Sequence, residues 1–261
     1  MNNDSSAWPT ALNRFDDDAV RAAFITAVPF PHFVFDNFLD AEFAKRVAEA
    51  FSTYDEARKI GREFRKSREN RKIGISDASK FAPAVSELNE AISQTCFTSW
   101  LSNISNIQNL CADDKLIGGG MHITAPGGRL DVHVDFNFRK DIKKFRRLNL
   151  LIYLNTNWRA EWGGQLELWD KDVTQCQISV EPAFNRCVIF ETSEISYHGV
   201  RPVSQKSETL RKSFAAYYYA KDPSKNWSGE FFDTRFKPRP NELPGILESV
   251  ARWFGRDGSG K

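Results

Sequence analysis

The feature that most constrains this chain is a series of short apolar runs that begins near Lys115 and ends near residue 220. Turn-forming residues separate the runs, most clearly at Pro126-Gly127-Gly128, Gly163-Gly164 and Glu181-Pro182. About eight strands are predicted, at 116–124, 129–137, 147–155, 164–170, 173–180, 185–191, 196–203 and 212–220. Eight closely spaced strands favour a double-stranded β-helix, or jelly roll, over alternating βαβ units.

Helical patterns precede the strand-rich region. A short aromatic strand is predicted from Phe30 to Phe35, and Asp40 is a suitable N-cap for the helix that follows it. A second helix is predicted near Pro83 to Leu101, where the apolar residues keep the 3.6-residue period of a helix face. Residues 1–28 are polar, and we expect them to be loosely held.

These segments together predict a single domain over residues 1–261, mainly β with flanking helices. The helical N-terminal buttress spans about 1–114, the jelly-roll core about 115–220 and the helical C-terminal tail about 221–261. In the tail, apolar residues are spaced as on one face of a short helix, at Leu247, Val250 and Phe254.

Composition and charge argue against several classes of function. The 36 basic and 34 acidic residues leave a formal charge of +2, which gives no reason to expect nucleic acid or an anionic membrane as partner. The N terminus does not resemble a signal peptide, and no apolar stretch approaches the ~18 residues of a membrane span. The four cysteines contain no C-x-x-C pair, so we expect reduced thiols in a cytoplasmic protein, at Cys96, Cys111, Cys176 and Cys187.

Two of the four histidines lie in contexts that suit a metal site. In His133-Val134-Asp135 the two polar residues are two positions apart, so on a strand both side chains point to the same face. His198 follows 63 positions after Asp135, in a strand that a jelly roll can bring beside the first. Two imidazoles and one carboxylate occupy one face of an octahedral Fe(II) and leave three positions open. A His-x-Asp pair by itself more often describes a surface histidine beside a solvated aspartate.

Further motifs occur in a fixed order around these residues. They are Arg146 to Asn155, Trp158, Gly163-Gly164, Leu166-Glu167-Leu168, Glu181-Pro182, Asn185-Arg186, Val188-Ile189-Phe190 and His198 to Val203. Over residues 115–220 this order resembles the prolyl 4-hydroxylase-type 2-oxoglutarate oxygenases, and Phe30 to Leu39 resembles the opening of bacterial members. The resemblance implies a jelly-roll fold, Fe(II) held by His133, Asp135 and His198, and 2-oxoglutarate as co-substrate.

The resemblance also implies a basic residue, after the distal histidine, that binds the far carboxylate of 2-oxoglutarate. Arg211 is the candidate, because a guanidinium can hold a carboxylate through two hydrogen bonds, and Ser213 shares its strand face. Tyr153 matches the position whose phenol reaches the same co-substrate. Asn149 has the same strand parity as Tyr153, so it could also face the cavity and bind the co-substrate. A buried structural role is the alternative for both Tyr153 and Asn149.

The spacing of this clamp departs from the family pattern. Arg211 follows His198 by 13 residues, a few more than is usual, which fits a longer polar turn at Ser204 to Thr209. Lys206 and Lys212 are rival clamps, although Lys206 lies in the predicted turn and Lys212 on the opposite strand face.

Two basic stretches are not accounted for by these roles. Arg58 to Lys72 contains eight basic and two acidic residues, and the cluster from Arg139 to Arg147 could ring the opening of the jelly roll. Solvated charge is the ordinary explanation for both, and recruitment of an anionic substrate by a lid is the alternative for the first. We expect His122 to be a structural histidine, with a residue that lines the cavity as the alternative, and His32 to lie outside the site.

The reaction that the resemblance implies is hydroxylation of an unactivated C–H bond, coupled to oxidative decarboxylation of 2-oxoglutarate to succinate. Dioxygen is the oxidant, with ascorbate as an optional reductant. The expected substrate is a small molecule such as an amino acid or a biosynthetic intermediate, with a prolyl residue of a protein as the alternative. The rival classes are a non-enzymatic jelly-roll binding module, which would not need Arg211 and Tyr153 at the metal, and a cupin-like enzyme that uses no keto acid.

Overall fold

A computed structural model of the protein describes residues 7–240 and residue 242. Its helices are α1 (Asp17–Thr26), α2 (Ala41–Glu49), α3 (Tyr54–Ile60), α4 (Pro83–Ser93) and α5 (Thr95–Ser105). Its strands are β1 (His32–Phe35), β2 (Arg62–Arg65), β3 (Glu69–Ile75), β4 (Cys111–Ala112), β5 (Gly120–Val134), β6 (Phe138–Arg139), β7 (Lys144–Tyr153), β8 (Leu166–Trp169), β9 (Cys176–Val180), β10 (Arg186–Glu191), β11 (His198–Val200), β12 (Arg211–Ala220) and β13 (Arg235–Phe236). The described chain is thus mainly β with flanking helices, as predicted.

The strands form a curled antiparallel sheet in the order β1-β10-β7-β12-β5-β11-β8-β9. Although β7 and β8 are four places apart in this order, Tyr153 of β7 packs in one buried cluster with Leu166 and Leu168 of β8. Only a sheet that curls over itself can bring these side chains together. The predicted double-stranded β-helix is confirmed.

The strand β5 corrects one part of the sequence prediction. The runs 116–124 and 129–137 are not two strands, because β5 continues through the Pro126-Gly127-Gly128 segment. The pairing of β3 with β5 skips from Thr124 to Arg129, so the residues between them form a bulge. Gly127 has a φ of 81°, which glycine adopts without strain, and its N–H donates to the Val203 carbonyl at 2.8 Å. The glycines therefore bend the strand and do not reverse it.

The helices cover one face of the sheet. The largest buried cluster joins apolar residues of α1, α2, α4 and α5 to those of β7, β10 and β12. The expectation that residues 1–28 are loosely held is wrong for α1, since Val20 and Phe24 are buried. Helix burial of this kind holds the strands of the site rigidly from behind.

The boundaries of two helices test the sequence signals directly. The Asp40 side chain accepts hydrogen bonds from the backbone N–H groups of Glu42 and Phe43, so it caps α2 as predicted. The single helix predicted from Pro83 to Leu101 is wrong, because the chain breaks at Gln94, whose ψ is 149°. The apolar period continues across this break, which is why the pattern concealed it.

The basic stretch Arg58 to Lys72 is folded as the end of α3 followed by the β2–β3 hairpin. Because β3 pairs with β5, this hairpin lies beside the strand that carries His133. The predicted tail residues Leu247, Val250 and Phe254 lie outside the described residues. Within the described chain, no helix has the length and apolar character needed to cross a membrane.

Candidate metal centre

Three predicted ligands converge at the open end of β5 and β11. His133 and His198 are direct partners across these two strands, and their ring centroids are 4.4 Å apart. Asp135, just beyond the end of β5, places its Oδ1 3.6 Å from His133 Nε2 and its Oδ2 3.4 Å from His198 Nε2. The ligand atoms of all three residues lie within 4.8 Å of one another, a separation that one metal ion can bridge.

The backbone fixes both imidazoles in the form that binds metal. Nδ1 of His133 lies 2.8 Å from the Asp131 carbonyl oxygen, and Nδ1 of His198 lies 3.0 Å from the Ser196 carbonyl oxygen. Since a carbonyl only accepts, each Nδ1 carries the proton and each Nε2 keeps its lone pair towards the centre. Burial and the neighbouring His133 lower the pKa of His198 to about 4, which keeps that ring neutral at pH 7.

A pair of buried polar side chains holds the Asp135 carboxylate. The guanidinium of Arg146 and the amide of Asn149 both donate to Asp135 Oδ2, at 3.0 and 2.8 Å. Arg146 Nε also donates to Asn149 Oδ1 at 2.8 Å, so the two donors support each other. Burial is the largest single effect and opposes ionisation of Asp135, but Arg146, His198 and His133 together outweigh it and hold the pKa of the carboxyl well below its usual value. The carboxylate is therefore charged and oriented before any metal binds.

The contact of Arg146 with Asp135 was not predicted from the alternation of side chains along the strand. Arg146 was grouped only with the basic cluster Arg139 to Arg147, whereas its guanidinium is buried and stacks 3.4 Å from the centre of the Tyr217 ring. A bulge in β7, where the pairing skips from Leu148 to Arg146, brings Arg146 onto the same side as Asn149. An arginine at the start of an apolar strand run was the available signal.

The predicted carboxylate clamp lines the cavity onto which the three predicted metal ligands open. Arg211 is buried, and its Nε donates to the Gly164 carbonyl at 2.6 Å. Its Nη2 and the hydroxyl of Tyr153 have no hydrogen-bond partner among the described residues, although both are buried. The guanidinium lies 5.0 Å from the centre of the Tyr153 ring, and Ser213 pairs with Tyr153 across β12 and β7. A carboxylate ligand would accept hydrogen bonds from both of these unpaired donors.

The two rival clamps lie elsewhere. Lys206 is exposed in the turn before β12, and Lys212 is half-buried on the face opposite Arg211. Neither lines the cavity that contains Arg211. His32 hydrogen-bonds the Phe30 carbonyl on β1, away from the cavity. His122 is buried and bonded to the Gly118 carbonyl at 3.0 Å, as expected of a structural histidine, yet it also lines the cavity.

This cavity connects the metal ligands to the clamp. Its empty volume is about 600 Å³, including space open to solvent. Its polar lining is provided by Lys72, His122, Thr124, Arg129, His133, Asp135, Arg146, Asn149, His198, Arg211, Ser213 and Tyr217. Lys72, Thr124, Arg129 and Tyr217 were not anticipated as cavity residues, and the place of Lys72 depends on the pairing of β3 with β5.

The fold and the His-Asp-His cluster agree with the protein family whose sequence profile this chain matches. Residues 119–219 match the profile of the 2OG-Fe(II) oxygenase superfamily. The jelly-roll region of this chain is therefore similar to that superfamily.

Three similar proteins are informative. Prolyl 3-hydroxylase OGFOD1 of Mus musculus is 32% identical over 113 residues, which cover 42% of this chain and 20% of the relative. The match thus spans about a fifth of that protein. A prolyl hydroxylase from Trichoplax adhaerens, solved with a hypoxia-inducible-factor peptide, superposes with a TM-score of 0.56 at 18% identity, covering 78% of this chain and 88% of that one. A prolyl-4-hydroxylase of Pseudomonas putida gives a TM-score of 0.53 at 18% identity, covering 77% and 98%. The two structures support the fold.

Proposed function

We propose that this protein is an Fe(II)- and 2-oxoglutarate-dependent dioxygenase that hydroxylates an unactivated C–H bond. One observation carries the proposal: three convergent metal ligands open onto the same cavity as a buried arginine with an unpaired Nη2. Two histidines and one carboxylate on one face of an ion are the ligand set of non-haem Fe(II) oxygenases. When bound, Fe(II) with 2-oxoglutarate and dioxygen supplies the oxidation, and 2-oxoglutarate leaves as succinate and carbon dioxide.

The residues of the chain would bind and orient the reactants. His133, His198 and Asp135 hold the metal, and Arg146 and Asn149 keep the carboxylate in place. This arrangement leaves Asp135 Oδ1 without a charged donor from these two residues, so Oδ1 is the oxygen that we assign to the metal. Loss of support of this kind typically costs about 10- to 100-fold in metal affinity.

The clamp would fix the far end of the co-substrate. We assign Arg211 to the distal carboxylate of 2-oxoglutarate, with Tyr153 and Ser213 as additional hydrogen-bond donors. Asn149 was also predicted to contact the co-substrate, but its amide is engaged by Asp135 and Arg146. Its proposed role is therefore to position the metal ligand.

We propose a single oxygenase domain for residues 1–261, with a small molecule such as an amino acid or biosynthetic intermediate as substrate. A prolyl residue in a protein is the second candidate, favoured by the prolyl hydroxylases among the relatives. A cytoplasmic location is proposed because all four cysteines, each in the described part of the chain, are free thiols. Succinate formation stimulated by free amino acids, or by prolyl peptides, distinguishes the two substrate classes.

The cofactor assignment is tested by anaerobic titration of the Fe(II)-loaded protein with 2-oxoglutarate. Chelation gives a weak visible charge-transfer band, which we expect in the wild type and in His32→Ala, a control for a buried histidine outside the site. We expect no band in His133→Ala, and a requirement for far more 2-oxoglutarate in Arg211→Ala. Absence of the band from the wild type at saturating Fe(II) and 2-oxoglutarate would instead support the binding-module alternative.

A further inference from the structure

A second cavity lies on the outer side of the metal centre. It has an empty volume of about 1120 Å³, including space open to solvent, and is lined by the β2–β3 hairpin and by Thr234 and Phe236. It shares six lining residues with the inner cavity, namely Lys72, Leu130, His133, Asp135, Arg146 and Tyr217. A molecule in the outer cavity would therefore reach the metal ligands directly, as the substrate of the proposed reaction must.

The charges that line this outer cavity do not balance. Its two acidic residues each have a basic partner: Glu69 pairs with Lys72 at 2.9 Å, and Asp135 pairs with Arg146 at 3.0 Å. The remaining two basic residues, Lys66 and Arg68, form no ion pair with any residue that the structure describes. The outer cavity therefore has a surplus of two positive charges at the tip of the hairpin.

Arg68 is held in position towards the metal centre. Its guanidinium lies 5.4 Å from the centre of the Phe236 ring, and that ring lies 5.4 Å from the ring of His133. The backbone carbonyl of Arg68 accepts a hydrogen bond from Asp131 N–H at 2.8 Å, which ties the hairpin to β5. A single aromatic ring thus separates the unpaired guanidinium from a metal ligand.

The turn of the hairpin is also closed by its backbone. Lys66 N–H donates to the Glu69 carbonyl at 2.9 Å, so the ammonium of Lys66 extends from a defined turn next to Arg68. A charge on a fully solvated loop would have neither the tie to β5 nor the contact with Phe236.

We infer that Arg68 and Lys66 form a binding subsite for an anionic group of the substrate, a carboxylate or a phosphate, positioned beyond the C–H bond that is oxidised. This inference rests on the proposed oxygenase function and names the substrate class. An acidic small molecule and an acidic peptide share this chemistry. Arg68 is here a specificity-determining residue, distinct from the clamp Arg211, which lines only the inner cavity.

The test measures binding to the protein loaded with Mn(II) and 2-oxoglutarate under anaerobic conditions. One probe series is a set of fluorescein-labelled prolyl peptides that differ only in a flanking Glu, Gln or Lys, read by anisotropy. The other is a pair of unlabelled N-acetyl amino acids, glutamate and glutamine, read by calorimetry. The first series represents a peptide source of the carboxylate, and the second represents a free acid.

In at least one series, we expect the acidic probe to bind about tenfold more tightly than its neutral match, equivalent to ~1.4 kcal/mol. This preference should weaken as ionic strength rises, because the subsite is open to solvent. It should disappear in Arg68→Gln and reverse towards the Lys peptide in Arg68→Glu. Arg62→Gln removes the same charge from the same hairpin but does not line the outer cavity, so this control should keep the wild-type preference.

Equal affinity for acidic and neutral probes, failure of both acidic probes to bind at millimolar concentration, or a preference that survives Arg68→Gln would overturn the inference. The 2-oxoglutarate charge-transfer band is recorded on Fe(II)-loaded samples of the same variants. A missing band in the wild type refutes the proposed function itself. A normal band together with equal probe affinities refutes only the anionic subsite.

Discussion

Replacement of Arg211 by methionine should change stability and co-substrate binding in opposite directions. The side chain is only 4% exposed, burial lowers the pKa of its guanidinium, and its Nη2 has no partner in the described structure. Replacing a buried ion pair by apolar side chains of similar volume is often neutral or stabilising by about 1–4 kcal/mol, and we expect the same range for the buried Arg211 guanidinium. Loss of the hydrogen bond to the Gly164 carbonyl costs about 1 kcal/mol. The ligand-free Arg211→Met variant should therefore be as stable as the wild type or more stable, by up to about 3 kcal/mol.

The same substitution should remove most of the affinity for 2-oxoglutarate. Truncation of one partner of a buried, hydrogen-bonded charge pair costs about 2–5 kcal/mol, so the Kd should rise by about 30-fold to several thousandfold. Thermal unfolding of the Mn(II)-loaded protein, with and without 2-oxoglutarate, measures both effects in one assay. A ligand at 100 times its Kd stabilises by about 2.7 kcal/mol, which should raise the wild-type Tm by roughly 5–10 °C.

The two proteins should therefore differ in their response to 2-oxoglutarate. Arg211→Met should be the equal or more stable protein without ligand, and it should gain less stability than the wild type when the ligand is added. Lys212→Met is the matched control, since it removes a basic side chain from the opposite face of the same strand and should leave the ligand-induced shift unchanged. A variant that is destabilised by several kcal/mol yet keeps the full ligand-induced shift would refute the reasoning, because Arg211 would then be a structural cation.

Three other predictions concern the same site. The metal-free protein should lose up to about 3 kcal/mol of stability as pH falls from 6.5 to about 4, because the pKa of His198 is lower in the folded state and the unfolded state therefore binds the proton first. Urea denaturation at a series of pH values measures this loss, and the free energy of unfolding of His198→Gln should depend less on pH over the same range. Asn149→Ala should weaken Mn(II) binding by about 10- to 100-fold in equilibrium dialysis, since it removes a donor to Asp135. Gly164→Ala should destabilise the protein by about 1–3 kcal/mol and weaken 2-oxoglutarate binding, because Gly164 has a φ of 72° and a Cβ there would lie 3.0 Å from Arg211 Cδ. An unchanged unfolding midpoint and an unchanged 2-oxoglutarate Kd would contradict the last expectation.

The sequence predicted the parts of the fold that depend on local pattern. Alternating apolar runs and turn residues located most of the core strands, and a carboxylate before an apolar period located the start of α2 at Asp40. The failures occurred where the same pattern has two structural outcomes. The Pro126-Gly127-Gly128 segment suits a reversal or a bulge, and only the pairing of β3 across it shows that the strand continues. An unbroken apolar period likewise did not show that the chain turns at Gln94.

The same limit separates the parts of the site that could be predicted from those that could not. His133 and Asp135 are two positions apart in the sequence, so the alternation of side chains along a strand was enough to predict that they share a face. The supporting contact of Arg146 depends on a bulge in β7 that shifts the parity of the strand, and no spacing rule includes that shift.

The support of Asp135 also explains why an arginine is tolerated beside the predicted metal ligands. A charge of the same sign as the ion opposes metal binding by Coulomb repulsion, yet the unpaired Asp135 carboxylate would cost several kcal/mol in the metal-free chain. Arg146 resolves this conflict by donating to Oδ2, while its guanidinium is stacked on Tyr217 and bonded to Asn149. The carboxylate thus stays paired before metal binding, and Oδ1 remains available for the ion. A folded metal-free state with a preformed site follows from this arrangement of buried charges.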